Sequence, residues 1–275
     1  MINSQGLKLI YDHAYIPEHL PHYVEEISST EAHLLDGYLC YTRQDHLIFT
    51  GYPLDETEGD TARVYESALK FFKPATVSVI APELWFGTRD ISREMEDAYY
   101  RMNLPISSIS LDVSYMIRRA DREVIIGEGE FGSEHRQLIR DFIRIHDISP
   151  EHEEIFNNLN KYLERSDHAR LLEARKENNA LSAFTIVDLG SAEYAFYLFN
   201  FRSPTESVPG VSDLLFYEMA RLSNSEGKRA INLGLGINQG NRWFKEKWGG
   251  AVFIPYRSAT INTHPLDMDT LLNKL

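Results

Sequence analysis

Apolar positions along this chain follow two rhythms. A period of two marks half-buried strands, and a period near 3.6 marks one-sided helices. In "GYLCYTRQDHLIFTGY" the period is two on either side of residues 43–45, which predicts a β-hairpin. "TARVYESALKFF" brings Ala62, Tyr65, Leu69 and Phe72 onto one helix face, and "ATVSVIAP" reads as a short buried strand punctuated by Pro74 and Pro82. The charged run "GTRDISREMEDAYYRMNLP" is expected to be helical in its first part. "SYMIRRADREVII" then leads into the glycine-rich turn "GEGEFG", and a domain boundary is placed near residues 127–132.

Beyond that turn, "SEHRQLIRDFIRIH" sets Leu138, Ile139, Phe142 and Ile145 on one helix face. "SPEHEEIFNNLNKYLE" reads as one helix, with Ser149 as N-cap, Pro150 at the first helical position, and Ile155, Leu159, Tyr162 and Leu163 inward. Strands are predicted at "ARLLEAR", "ALSAFTIVDL" and "EYAFYLFNF". A loop, "SVPGVS", opens a helix that stops at Gly227; "RAINLGL" follows as a strand, "NRWFKEKW" as a helix and "AVFIPYRSATIN" as the last strand.

The two halves repeat a pattern. Residues 37–52, 61–72 and 76–80 form hairpin, helix and strand, and residues 180–201, 212–223 and 229–233 do the same. Sequence identity between them is negligible, so the repeat is one of pattern only, and chance likeness of two α+β domains competes with it.

Composition narrows the class. A chain of 275 residues with 43% apolar residues holds one large or two ordinary domains with real cores. No run of 18 apolar residues exists, so no membrane-inserted helix is expected. "MINSQGLKLIYDHAY" lacks a charged segment leading into an apolar one, so no secretory leader is expected and the expected location is the cytoplasm. Cys40 is the single cysteine; it fits a reducing compartment and, in an apolar strand, is expected to be inert. The net charge of −13 argues against broad binding of nucleic acid or anionic lipid and leaves room for a local basic pocket.

In Ser207-Val208-Pro209-Gly210-Val211-Ser212, Gly210 permits positive φ or close backbone approach, and Ser212 is a natural N-cap. Consecutive N–H groups at a helix start can hold a pyrophosphate. Asp213 argues the other way, because a carboxylate in the first turn takes the place an anion would take. The matching loop of the first half, "YPLDETEGDT", carries Asp55, Glu56, Glu58 and Asp60 and would repel phosphate.

The order helix, helix, three antiparallel strands, glycine loop, helix, strand, helix, strand resembles the GNAT N-acyltransferase fold. Ser207-x-x-Gly210-x-Ser212 matches the central glycine and small third residue of that family's pyrophosphate loop, without its leading Gln or Arg. "NQGNRWFKEKWGG" places Asn238, Lys247 and Gly249 at further family positions, and Lys245 where the usual tyrosine acid stands. "FKEKWGG" after "INLGLG", with the basic run at residues 99–124, is more similar to FemAB-type aminoacyltransferases and the C-terminal domain of lysylphosphatidylglycerol synthases. The resemblance implies an α+β protein of tandem GNAT-like domains, each a mixed, mostly antiparallel sheet flanked by helices. Residues 1–128 would form a degenerate structural domain and 129–275 the catalytic candidate.

The implied chemistry is transfer of an acyl group from acyl-CoA, or an aminoacyl group from aminoacyl-tRNA, to an amine. The net charge disfavours the tRNA donor, and peptidoglycan-precursor or lipid acceptors follow from analogy alone. The strand at residues 195–201, with Phe199 and Phe201, would offer backbone donors to the carbonyl. Ser207, Val208, Gly210, Val211 and Ser212 would cradle the pyrophosphate, with Asn238 touching the pantetheine or the strand edge. Glu206 and Asp188 are candidate bases at strand ends, against the alternative of solvated loop charges. Lys245 either pairs with a phosphate or carboxylate or lies on the surface. Asn200 and Arg202 flank the cofactor edge, and Arg202, Arg118 and Arg119 are candidates for orienting an anionic substrate, against ordinary ion pairs or a charged helix face. Trp243, Phe244 and Trp248 read as core or groove aromatics.

No metal is expected, since His19 with His22 and His146 with His152 lack partner cysteines or an HExxH spacing. Gly234-x-Gly236 has no third glycine, and neither a Gly-x-Ser-x-Gly elbow nor a Walker loop occurs. The rival class is a non-catalytic protein that binds a ligand or partner in an interdomain groove after both acyl sites have decayed. The oligomeric state is not legible.

Overall fold

The computed structural model describes residues 2–55, 60–86 and 91–263. The chain opens with α1 (Ser4–His13), a 3-10 turn (Pro17–His19) and α2 (Pro21–Ser28). Strands β1 (Glu31–Leu35), β2 (Tyr38–Arg43) and β3 (His46–Thr50) form a meander, followed by α3 (Thr61–Phe72) and β4 (Thr76–Ala81). Glu56 and Glu58 of the acidic loop lie outside the described residues. Then come β5 (Ile91–Asn103), α4 (Leu111–Ala120), β6 (Ile125–Glu128), α5 (Ser133–Ile145), α6 (Pro150–Asn157) and α7 (Leu159–Arg165). The chain continues through β7 (Ala169–Arg175), β8 (Leu181–Asp188), β9 (Tyr194–Arg202), α8 (Val211–Ser225), β10 (Ala230–Leu235), α9 (Gln239–Lys247) and β11 (Ala251–Asn262). No helix among the described residues is long and apolar enough to cross a membrane.

Two expectations change. The run expected to begin as a helix is the long strand β5, with residues 87–90 outside the described part. Near its start, Arg93, Glu94 and Glu96 are exposed and charged, which reads as a helix face; its second half buries Tyr99, Tyr100 and Met102 on alternating faces between two neighbouring strands. The helix expected after Ser149 is two helices, parted at the buried Asn158, whose amide donates to the carbonyl of Ile27.

The strands form one 11-stranded, mostly antiparallel sheet in the order β1-β2-β3-β4-β11-β5-β10-β9-β8-β7-β6. The repeat seen in the sequence reappears: β3 and β4 are parallel across α3, as β9 and β10 are across α8. The centre carries an exchange. β5, from the first half, lies between β11 and β10, and β11, from the second half, lies between β4 and β5. The expected separate sheets are therefore merged, and β6, just before residue 129, pairs with β7, which follows α5 to α7.

Alternation along the strands builds two layers of core. On β2, Tyr38 and Cys40 pack with Val64, Tyr65 and Ala68 of α3, while Leu39 and Tyr41 pack with Ile10 and Val24 of α1 and α2. Cys40 is sealed, and burial pushes its thiol up to about 12. In the second half, α4 and α8 cover one face through Val113, Leu214, Leu215 and Met219, and α5 to α7 cover the other through Leu138, Leu159 and Tyr162.

Candidate functional site

The site is built where two parallel strands part. β9 and β10 pair at Ala230↔Tyr194, Ile231↔Ala195 and Asn232↔Phe196 and no further. Beyond that point β9 runs on beside β8 while β10 turns to β5, pairing Gly234↔Tyr100 and Leu235↔Tyr99. Two irregularities drive them apart. On β9, Ile186↔Phe199 is followed by Val187↔Tyr197, so Leu198 is an extra residue and bends the strand. On β10 the register shifts between Asn232 and Gly234, and Gly234 takes φ +74°. The buried Asn232 pins this bend: its amide donates to the Tyr15 carbonyl at 2.8 Å and its oxygen accepts from the Gly234 N–H at 2.7 Å.

Lys245 lies beside the opening. α9 is started by Asn238, whose Oδ1 accepts from the Asn241 N–H at 2.9 Å, and it carries the buried Lys245. Nζ donates to the Leu235 carbonyl and lies 5.6 Å from the Tyr100 ring centroid. At 6% exposure the ammonium is removed from water, and burial pulls its pKa down to about 8, opposed by the charge of Asp97. The surface alternative for Lys245 is thereby corrected: the side chain is buried over Tyr100 of β5 and against the Leu235 carbonyl of β10.

Asp97 holds the rim of the opening. Its carboxylate accepts from the Ile237 N–H at 2.6 Å and lies 3.6 Å from Arg242. Ile237 has φ +58°, a strained value for a β-branched residue, and leaves its side chain 70% exposed beside α9.

The "SVPGVS" loop has a packing explanation. Gly210 takes φ +87°, and a Cβ there would stand 2.3 Å from the Met116 carbonyl oxygen of α4. Val208 is buried, its carbonyl accepting from the Val211 N–H at 3.2 Å, and Ser212 accepts from the Asn200 amide at 2.9 Å rather than capping the helix. The N–H groups of Ser212 and Asp213 have no intrahelical partner by position. The first turn nonetheless holds its own anion: buried Asp213 bonds the Trp248 indole at 3.0 Å and pairs with Lys247 at 2.6 Å. Lys247 also lies 4.7 Å and 4.6 Å from the rings of Trp243 and Phe244. Trp248 is core, whereas Trp243 is 62% exposed.

The remaining candidates are spread around this opening. Phe199 and Phe201 turn their rings into the core on the α5–α7 side, so what β9 offers the opening is backbone. Glu206 pairs with Lys176 at 3.1 Å on the loop after β9, with Ser207 next to it. Asp188 is tied to the Tyr162 hydroxyl at 2.5 Å and the Gly190 N–H at 2.7 Å, which leaves it anchoring a turn. Arg118, Arg119 and Arg202 are exposed, and their guanidinium groups make no hydrogen bond or ion pair among the described residues. Sequence reasoning misses Asn232, Leu198 and Asp97; only the glycine pair at 234 and 236 hints at a bend there.

No protein-family profile matches the chain, and no curated protein matches it. Solved structures do. L-PGS from Bacillus licheniformis is 13% identical with a TM-score of 0.62, over 99% of this chain and 96% of that one. FemX is 10% identical with a TM-score of 0.59, over 94% and 96%. A tandem GNAT protein from the clavulanic acid biosynthesis pathway is 10% identical with a TM-score of 0.52, over 84% and 79%. At these identities the likeness shows the fold: a GNAT-like arrangement of the kind seen in FemX and L-PGS.

Proposed function

We propose that this chain is an N-acyltransferase that moves an acyl or aminoacyl group from an activated ester or thioester to an amine, and that the β9–β10 opening is its site. The observation that carries the reading is the Lys245 ammonium, buried against the Leu235 carbonyl where β10 leaves β9, with a pKa pulled down to about 8. A proton donor near neutral pH suits departure of an alkoxide or thiolate, and a charge in a dry site suits the oxyanion of a tetrahedral intermediate. The β10-facing backbone of β9 beyond Leu198 supplies the polar edge against which a carbonyl would lie.

The chain reads as a tandem arrangement. Its two strand–helix–strand units, β3–α3–β4 and β9–α8–β10, each give their following strand to the other, which fuses two GNAT-like sheets into one. Of the two donors, the start of α8 favours aminoacyl-tRNA, since Asp213 already occupies the anion position an acyl-CoA pyrophosphate would take. The unpaired Arg118, Arg119 and Arg202 are the groups that would meet its phosphates.

The test incubates the purified chain with radiolabelled aminoacyl-tRNA or acetyl-CoA and a panel of primary amines, and follows amide formation by mass spectrometry. Amide formed by the wild type and lost in Lys245→Met supports the reading. No donor consumed, or undiminished transfer by Lys245→Met, overturns it.

A further inference from the structure

On the face of β5 opposite Lys245 lies an acid without a counter-ion. Glu18, in the 3-10 turn, accepts a hydrogen bond from the Tyr99 hydroxyl at 2.8 Å, and its carbonyl accepts from Tyr41 at 2.7 Å. No lysine or arginine among the described residues pairs with the carboxylate. The neighbouring His19 does not serve as one: it is buried against the Tyr52 carbonyl at 2.9 Å, and burial pulls its pKa down to about 4. A carboxylate in such surroundings either stays protonated or takes a cation from outside. Burial raises the Glu18 carboxyl, while the residue as a whole is half-buried.

A cluster of tyrosines adjoins it through Tyr99. Tyr99 meets Tyr52 and Tyr256 edge to face, with centroids 5.8 Å and 5.6 Å apart. After burial, the Glu18 charge is the next largest influence raising the hydroxyls of Tyr23, Tyr41, Tyr52, Tyr99 and Tyr256, so all five lie within its electrostatic reach. A carboxylate beside aromatic residues is the chemistry that holds an ammonium group.

Its place in the fold ties it to the other site. Tyr99 reaches Glu18 and the next residue, Tyr100, underlies Lys245; Leu235, paired with Tyr99, gives its carbonyl to Lys245. We propose that Glu18 and the adjoining tyrosines form a seat for a cationic ammonium group of the amine acceptor, presented from the sheet face opposite Lys245. Naming the ligand as the acceptor rests on the acyl-transfer reading; the cation site itself does not.

Calorimetric titration with n-propylammonium and, as the anionic control, propionate tests the seat. The wild type is expected to bind propylammonium saturably and to ignore propionate. Glu18→Gln, which keeps a hydrogen-bond acceptor for Tyr99, should weaken binding by about tenfold or more. Should Glu18→Gln fail to fold, Glu18→Asp replaces it, with weaker binding supporting the seat and equal binding overturning it. No saturation by about 50 mM amine, or equal binding in Glu18→Gln, overturns the proposal. Amine binding lost in Glu18→Gln without any acyl transfer by the wild type keeps the seat and overturns the transferase; transfer without amine binding does the reverse.

Discussion

The first half contains the same strand–helix–strand unit as the second, and it is closed. β3 and β4 pair without interruption from His46↔Thr76 to Thr50↔Ile80, and the Gly51 N–H continues the ladder to the Ile80 carbonyl at 2.6 Å. A Cβ on Gly51 would meet that of Ala81 at 2.8 Å, so glycine is what lets the strands stay together. β9 and β10 separate after Asn232↔Phe196, and the Leu235 carbonyl of β10 accepts from a lysine. The lesson is one of backbone capacity. Where a parallel ladder is complete, its N–H and C=O groups are used up by each other. Where the ladder stops, they are left for a side chain or a ligand, and chemistry becomes possible.

The largest expected effect tests that contrast directly. Lys245→Met should cut the transfer rate by about 10²-fold or more, the usual worth of a positioned proton donor, in single-turnover assays with saturating donor. Gly51→Ala in the closed unit should lower the melting temperature and leave the rate per folded molecule unchanged. A Lys245→Met variant that transfers at the wild-type rate would erase the distinction between the two units.

The two helix starts differ in the same sense. Asp213 of α8 is buried against Lys247 and Trp248, whereas Asp60, the N-cap of α3, accepts from the Arg63 N–H at 3.0 Å in solvent. Asp213→Asn should cost about 3 kcal/mol, because it strands the Lys247 charge, and Asp60→Asn about 0.5 kcal/mol or less, because asparagine caps nearly as well. Urea denaturation of both variants measures the gap. Gly210→Ala should cost about 2–3 kcal/mol for a strained φ and a clash with Met116, and Gly37→Ala, at φ +80° with nothing within 4 Å of its Cβ, about 1 kcal/mol. Equal costs would mean that α4 yields and that the loop is looser than its packing implies.

Local pattern carries the units and little of what joins them. Hairpin, helix and strand in each half follow from periodicity and from glycine and proline punctuation, and they reappear in β2–β3, α3 and β4 and in β8–β9, α8 and β10. The exchange of β5 and β11 has no local signature, because Tyr99↔Ile254 joins residues far apart in the chain. The charges of residues 93–96 then tip a strand toward a helix. In the sequence, Lys245 stands out only through its place in "FKEKWGG"; burial of that lysine depends on a bulge at Leu198 that no periodicity announces. Gly210 is legible as a turn glycine, yet its reason, the Met116 carbonyl, comes from another helix. Glu18 is invisible for the same reason: a lone acid after Pro17 gains meaning only from Tyr99, Tyr52 and Tyr256.

The smallest effect comes from the proton on Lys245. Its pKa is pulled from 10.5 to about 8 in the fold, so between these values the unfolded chain holds a proton that the folded chain has released. Stability must then rise with pH through that window, fully gained above 10.5 and lost as pH falls through about 8. From pH 7 to pH 9 the gain is about 1 kcal/mol. Tyrosines and other lysines titrate in the same range, so the quantity to measure is the wild-type stability minus that of Lys245→Met across the window. The difference should grow in favour of the wild type as pH rises. A flat difference would mean that the ammonium keeps its water, and that the β9–β10 opening is no drier than the surface around the closed unit.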